Sequence, residues 1–122
     1  MFMIKRLLLW LKHDQKAVVW SIQGILSALK TGFGMQQWIA LVLLVTVLAF
    51  VLNLTGLERA VVIAFSWNIL LMELVNTAIE TVVNRISGEF HLLSKKAKDI
   101  GSGLVFGSLI LAVVVWLLVL FG

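Results

Sequence analysis

The chain has no cysteine and no proline, and only six of its 122 residues are acidic. Without cysteine there is neither a disulfide framework nor a Cys-ligated zinc ion or cluster. Without proline, every apolar run can continue as helix without a break. Charge of both signs is scarce: 13% of residues are charged and 61% are hydrophobic, with a mean hydropathy of +1.09, whereas a water-soluble domain carries about 25% charged residues. These shortages exclude a soluble globular monomer. A helix rises ~1.5 Å per residue and the hydrocarbon core is ~30 Å thick, so a span uses about 20 residues. The chain therefore holds at most about four or five spans and has no room for an extramembrane catalytic domain.

What is present reads as an all-α single membrane domain over residues 1–122. Residues 38–52 are apolar and charge-free, and with their polar flanks they give a first span over 36–55, ended by Gly56. A second span is expected over 60–86 and a third over 101–121, joined by a polar connection over 87–99. Residues 1–33 differ, because Lys5, Arg6, Lys12, Lys16 and Lys30 are interleaved with Leu, Ile, Val and Trp. This pattern predicts an amphipathic helix on the membrane surface. A signal peptide fits less well, since the run Leu7 to Leu11 is short and Lys-His-Asp-Gln-Lys follows it. Basic residues concentrate in the first segment and in the connection after the second span (Arg85, Lys95, Lys96, Lys98), against Arg59 alone after the first span. The positive-inside rule puts the N-terminus and the 87–99 connection in the cytoplasm.

The second span carries what chemistry the chain has. At about 100° per residue, Asn76, Thr77, Glu80 and Asn84 all fall within about 60° of Glu73. An ionised side chain at mid-bilayer costs from about 3 to more than 10 kcal/mol, so the stripe faces protein, water or ligand. For Asn76, Thr77 and Asn84 a hydrogen-bonded seam between helices is an equally good reading. The two glutamates have no basic residue in the interior of a span to neutralise them, Arg85 standing at the very end of the second. A divalent cation carrying phosphates would do so, since Mg²⁺ is usually held by one or two carboxylates with phosphate and water, and a desolvated carboxylate suits a general base. Lys95, Lys96, Lys98 and Asp99 follow directly. Lys side chains suit phosphate oxygens, although Lys95 and Lys96 read more simply as anionic-lipid or topology determinants. No G-x-x-x-x-G-K-[ST], H-R-D or D-F-G occurs. Gly103 and Gly107, four apart, point to close helix packing, and His13 and His91 are too isolated for a His-based metal site.

The run Glu73-Leu-Val-Asn76-Thr-Ala-Ile-Glu80-Thr-Val-Val-Asn84-Arg85, then Glu89-Phe-His91, then Ala97-Lys98-Asp99-Ile-Gly101-Ser102, resembles the signature of the prokaryotic diacylglycerol kinase family, which also includes undecaprenol kinases. The resemblance implies a homotrimer of three-span protomers in the bacterial inner (cytoplasmic) membrane. Composite sites between subunits would move the γ-phosphate of ATP, with Mg²⁺, onto a lipid alcohol such as diacylglycerol, with no nucleic-acid partner. Carried over by position, Glu73 is implied as general base with Asn76 supporting it, and Glu80 as metal ligand. Glu89, His91, Lys98 and Asp99 are implied in nucleotide binding, with Ser21 and Lys16 contributing from the first helix. Four positions depart from the family pattern. A second metal-binding Glu falls on Gly32, a further Glu on Trp38, a basic residue on Gln23, and the Asp that commonly follows the metal Glu is Asn84. The expectation is a lipid kinase acting on diacylglycerol, with undecaprenol phosphorylation or a weakened, non-catalytic accessory subunit as the alternatives.

Overall fold

A computed structural model describes residues 1–31 and 33–122. Gly32, where the resemblance would place a second metal-binding carboxylate, lies outside the described residues. All regular structure among the described residues is α-helical: α1 is Phe2–Thr31, α2 is Phe33–Val51, α3 is Gly56–Ile86 and α4 is Leu92–Phe121. The helices α2, α3 and α4 are each long and apolar enough to cross a membrane. The backbone forms two compact units, Met1–Gly32 and Phe33–Gly122.

The first unit is the single helix α1. Lys5, Lys12, Lys16, Gln23 and Lys30 recur every seven, four, seven and seven residues, which sets them within about 40° of one line along the helix. Leu7, Leu11, Val18, Ile22 and Ile25 form a separate apolar face and are exposed.

The second unit is organised around α3, which packs along both α4 and α2, whereas the backbones of α2 and α4 do not approach each other closely among the described residues and Trp38 of α2 reaches the α3–α4 core by its side chain. The buried positions explain why. On α2 they are Met35, Val42 and Ala49; on α3 they include Val62, Ile69, Asn76 and Val83, each set spaced by seven. On α4 they are Gly101, Val105, Ser108 and Ala112, alternating by four and three. A seven-residue repeat keeps one face turned to its partner along a shallow left-handed crossing. Lipid tails are as apolar as Leu, so burial drives little association between spans. Small groups such as Ala49, Ser66, Gly101 and Ala112 instead bring backbones close enough for dispersion contacts. Large apolar side chains such as Leu44, Phe50, Phe106 and Leu118 are left exposed on the outside of the unit. Two indoles are satisfied inside it. Trp116 Nε1 donates to Ser66 Oγ at 3.1 Å, and Ser66 in turn donates to the carbonyl of Val62. Trp67 Nε1 donates to Thr46 Oγ1 at 3.0 Å.

The α2–α3 turn is strongly tied. Thr55 caps α3 by accepting from the Glu58 N–H, and the Glu58 carboxylate accepts from the Thr55 N–H at 2.8 Å, a reciprocal capping box. This pair starts α3 at Gly56, four residues before the boundary expected from hydropathy, and makes Gly56 the opening residue of a helix rather than the end of one. Arg59 donates from Nε to the Ala49 carbonyl at 2.9 Å and from Nη2 to the Leu54 carbonyl at 3.1 Å, and its guanidinium lies over the Phe50 ring. It thus occupies one carbonyl that the end of α2 leaves without a helical partner and a second in the turn that follows. Arg59→Ala is expected to destabilise the protein by about 2 kcal/mol, because hydrogen bonds from a charged donor are lost and carbonyls near the apolar boundary go unpaired. Equilibrium unfolding in detergent checks this.

The second turn is shorter than the expected 87–99 connection. His91 caps α4, its Nδ1 accepting from the Leu93 N–H at 3.1 Å, and helix begins at Leu92. The polar run over 92–99 is therefore the first two turns of α4. Ser87 Oγ accepts from the Glu89 N–H at 3.0 Å and tightens what remains.

Candidate functional site

The seven-residue seam of α3 places Asn76 between Ile69 and Val83, so the stripe of polar groups borders the α3–α4 contact. Asn76 is 8% exposed, and its Oδ1 has no hydrogen-bond partner. It rests against Gly101 of α4, where a Cβ would lie 2.5 Å from Oδ1 and 3.3 Å from the Ile79 Cδ1. Three residues earlier, Glu73 is half-buried and looks the other way along the stripe: its Oε1 is 3.4 Å from where a Cβ on Gly34 of α2 would stand. Glu80 and Asn84 are exposed nearer the end of the helix. The stripe thus begins between packed helices and emerges into the open within three turns.

At that open end α4 meets it. Lys98 Nζ donates to Asn84 Oδ1 at 2.8 Å, joining the two helices. Asp99 is bound instead to Lys95 of its own helix, one turn back, and both are exposed. Glu89 and His91 lie in the short turn and are exposed. Because the His91 Nδ1 accepts the capping hydrogen bond, its Nε2 is the nitrogen left for an outside partner. Asn76 and the Asn84–Lys98 pair therefore lie at the α3–α4 contact, Glu73 is turned toward Gly34 of α2, Glu80 is exposed on the same helix, and Glu89, His91 and Asp99 are exposed in and just beyond the short turn.

Lys16 and Ser21 are on α1. Five residues apart, they point about 140° from one another around that helix and share no face of it. The Ser21 hydroxyl donates to the Ala17 carbonyl at 2.8 Å. Trp38, at a position where the resemblance would place a carboxylate, is half-buried and packs with Met72 and Leu109 against the cluster of Ile69, Val105 and Ala112.

No group of three or more His, Cys, Asp or Glu that could hold a metal exists among the described residues. Glu73 and Glu80 are two turns apart, about 10 Å along the helix. This donor set does not make an all-protein cage. It does fit an ion that arrives on phosphate oxygens and takes one carboxylate, with the exposed Glu80 the available ligand.

Two readings of the sequence change. Gly103 and Gly107 were expected to mark close helix packing, but a Cβ on either meets nothing within 4 Å. The glycine at which helices do close is Gly101, and the clue to it was the alternation by four and three through Gly101, Val105, Ser108 and Ala112. Asn84, read as a departure, is the residue that holds Lys98.

With this geometry in place, comparison with known proteins is direct. A family model described as prokaryotic diacylglycerol kinase matches residues 19–120. The chain is 38% identical over 112 residues to the diacylglycerol kinase of Pseudomonas aeruginosa, covering 92% of this chain and 91% of the relative. It is 36% identical to that of Escherichia coli K12, covering 86% of each chain. To that of Haemophilus influenzae it is 39% identical, covering 87% of this chain and 90% of the relative. The match runs through all three apolar helices and every position of the polar stripe, and on it the chain belongs to the prokaryotic diacylglycerol kinase family.

Proposed function

We propose that the protein is an ATP-dependent lipid kinase that phosphorylates the free hydroxyl of diacylglycerol to give phosphatidic acid. Family membership over residues 19–120 carries this reading, and the polar stripe ending beside Lys98 is consistent with it. In the reaction the lipid hydroxyl oxygen forms a bond to the γ-phosphorus, the bond from that phosphorus to the β,γ-bridging oxygen breaks, and ADP leaves. Glu73 takes the hydroxyl proton as the new bond forms. Asn76, one turn away on the same stripe, holds the reacting groups in line. Glu80 would hold Mg²⁺, and the ion when bound would supply charge neutralisation on the transferring phosphoryl group. Lys98 and Asp99, with Glu89 and His91 around the short turn, bind the nucleotide, and Lys16 and Ser21 contribute from α1.

The lysine line of α1, running alongside an apolar face, suits a helix lying at the membrane surface. The basic excess at that end of the chain and around Arg85 and Lys95–Lys98 supports a cytoplasmic N-terminus in the bacterial inner membrane, on the side where ATP is found. A stripe that one protomer leaves open at Glu80 and Asn84 suits a site completed by a neighbouring copy, in a homotrimer. The alternatives of undecaprenol phosphorylation and of a non-catalytic accessory subunit are not favoured, since the relatives described above carry the diacylglycerol kinase name.

Purified protein in mixed micelles with Mg²⁺ and γ-labelled ATP should transfer label to diacylglycerol in preference to undecaprenol. No label on diacylglycerol would overturn the reading. In the same assay Asn84→Ala should raise the KM for ATP about two- to fivefold with kcat nearly unchanged, the range expected when an exposed charged side chain loses one partner.

A further inference from the structure

Asn76 and Gly101 form a fitted pair. We infer that Gly101 is a positioning residue for phosphoryl transfer: the absence of a side chain there creates the niche that sets the direction of the Asn76 carboxamide, one helical turn from Glu73. The inference rests on the kinase reading above and adds to it a residue on the opposite helix.

The geometry is specific to this glycine. A Cβ at Gly101 would stand 2.5 Å from Asn76 Oδ1 and 3.5 Å from its Cγ, so the obstacle is the carboxamide itself. That is about 1 Å inside ordinary van der Waals contact. Ile79 Cδ1, 3.3 Å from the same point, blocks one direction of retreat. Asn76 has little freedom to move in response, because it is 8% exposed and its helix is held on both sides of it by Ile69 and Val83 in the seam. Its Oδ1 has no hydrogen bond to hold it in place. Shape, rather than a bond, therefore sets the direction of this carboxamide. An added methyl must rotate the carboxamide out of the niche or part α3 from α4 next to Glu73. Gly103, two residues along the same helix, meets nothing within 4 Å and has no such duty.

A displacement of this size at a reacting site lowers the rate of the chemical step while leaving distant binding contacts in place. Gly101→Ala is accordingly expected to lower kcat by about tenfold to a hundredfold, with the KM for ATP changed less than about threefold. The control Gly103→Ala is expected to keep kcat within about twofold of the starting protein, since alanine is the better helix former and nothing is displaced. On an Asn76→Ala background, which removes the carboxamide, Gly101→Ala should add no further loss, so that the two effects are non-additive. A purely structural role for Gly101 would instead lower the melting temperature in detergent and the amount of folded protein without this split between kcat and KM.

Steady-state kinetics on the four proteins and the unsubstituted chain, in mixed micelles with diacylglycerol and Mg²⁺-ATP, decides the matter. Normal turnover by Gly101→Ala, an equal loss in Gly103→Ala, or an additional loss on the Asn76→Ala background would each overturn the inference while the kinase reading stands. No turnover by the unsubstituted chain would overturn the kinase reading, and the inference with it.

Discussion

Glu73→Gln is expected to lower the rate of transfer to diacylglycerol by about a hundred- to ten-thousandfold, the range over which a positioned general base contributes. The change is close to isosteric. Glu73 is half-buried with its Oε1 against Gly34, and an amide of the same shape keeps that contact. What is lost is the capacity to take a proton. Binding of Mg²⁺-ATP should survive, because Glu73 lies two turns from Glu80, toward the packed end of the stripe. Glu73→Asp keeps the carboxylate but withdraws it by about one methylene, so its rate should fall between the two. Single-turnover measurements at saturating ATP separate the chemical step from release. A Glu73→Gln rate within about tenfold of the unsubstituted protein would remove this residue from the role of base.

Glu80→Gln should produce the second large effect, a fall of about a hundredfold or more in activity at fixed Mg²⁺, since a metal ligand supplies several kcal/mol of charge stabilisation to the transferring group. No other cluster among the described residues can take over, as no three potential ligands lie close together. Part of the loss should return at high Mg²⁺, where mass action fills a weakened site. Titrating activity against free Mg²⁺ at constant ATP makes the difference visible: Glu80→Gln shifts the curve to higher metal, whereas Glu73→Gln lowers its plateau. A Glu80→Gln curve that merely scales down would place the ion elsewhere.

How far the sequence could be read depended on whether a feature was periodic along one helix or arose between two. The first and third spans follow from charge-free runs and the second from an apolar run that holds two glutamates, and the placing of Glu73, Asn76, Glu80 and Asn84 on one face follows from helical spacing alone. Helix ends were less accessible. The reciprocal pair of Thr55 and Glu58 starts α3 early, and the His91 cap converts residues 92–99 from connection to helix. Both depend on a side chain reaching back to the backbone, which hydropathy does not register. The pairing of Lys98 with Asn84 and the fit of Asn76 to Gly101 were out of reach because they join residues 14 and 25 apart on antiparallel helices. Only the register between α3 and α4 brings them together, and several small residues competed for the same interpretation. Gly103 and Gly107 had the more obvious spacing, and Gly101 had the contact.

The central place of α3 bears on how the protein is made. Spans first enter the bilayer singly and then pack, and here α2 and α4 each find their main partner only when α3 has entered, because both pack chiefly along α3. The helix on which assembly waits is also the least apolar of the three, with both intramembrane glutamates on it. Biogenesis therefore turns on the partitioning of one span, and the charge-free stretch from Ala60 to Trp67 is what draws the acidic half into place. The two glutamates and the hydrocarbon that inserts them share a single helix, so a polar change in its first half is expected to reduce the number of protein molecules reaching the membrane rather than the turnover of each.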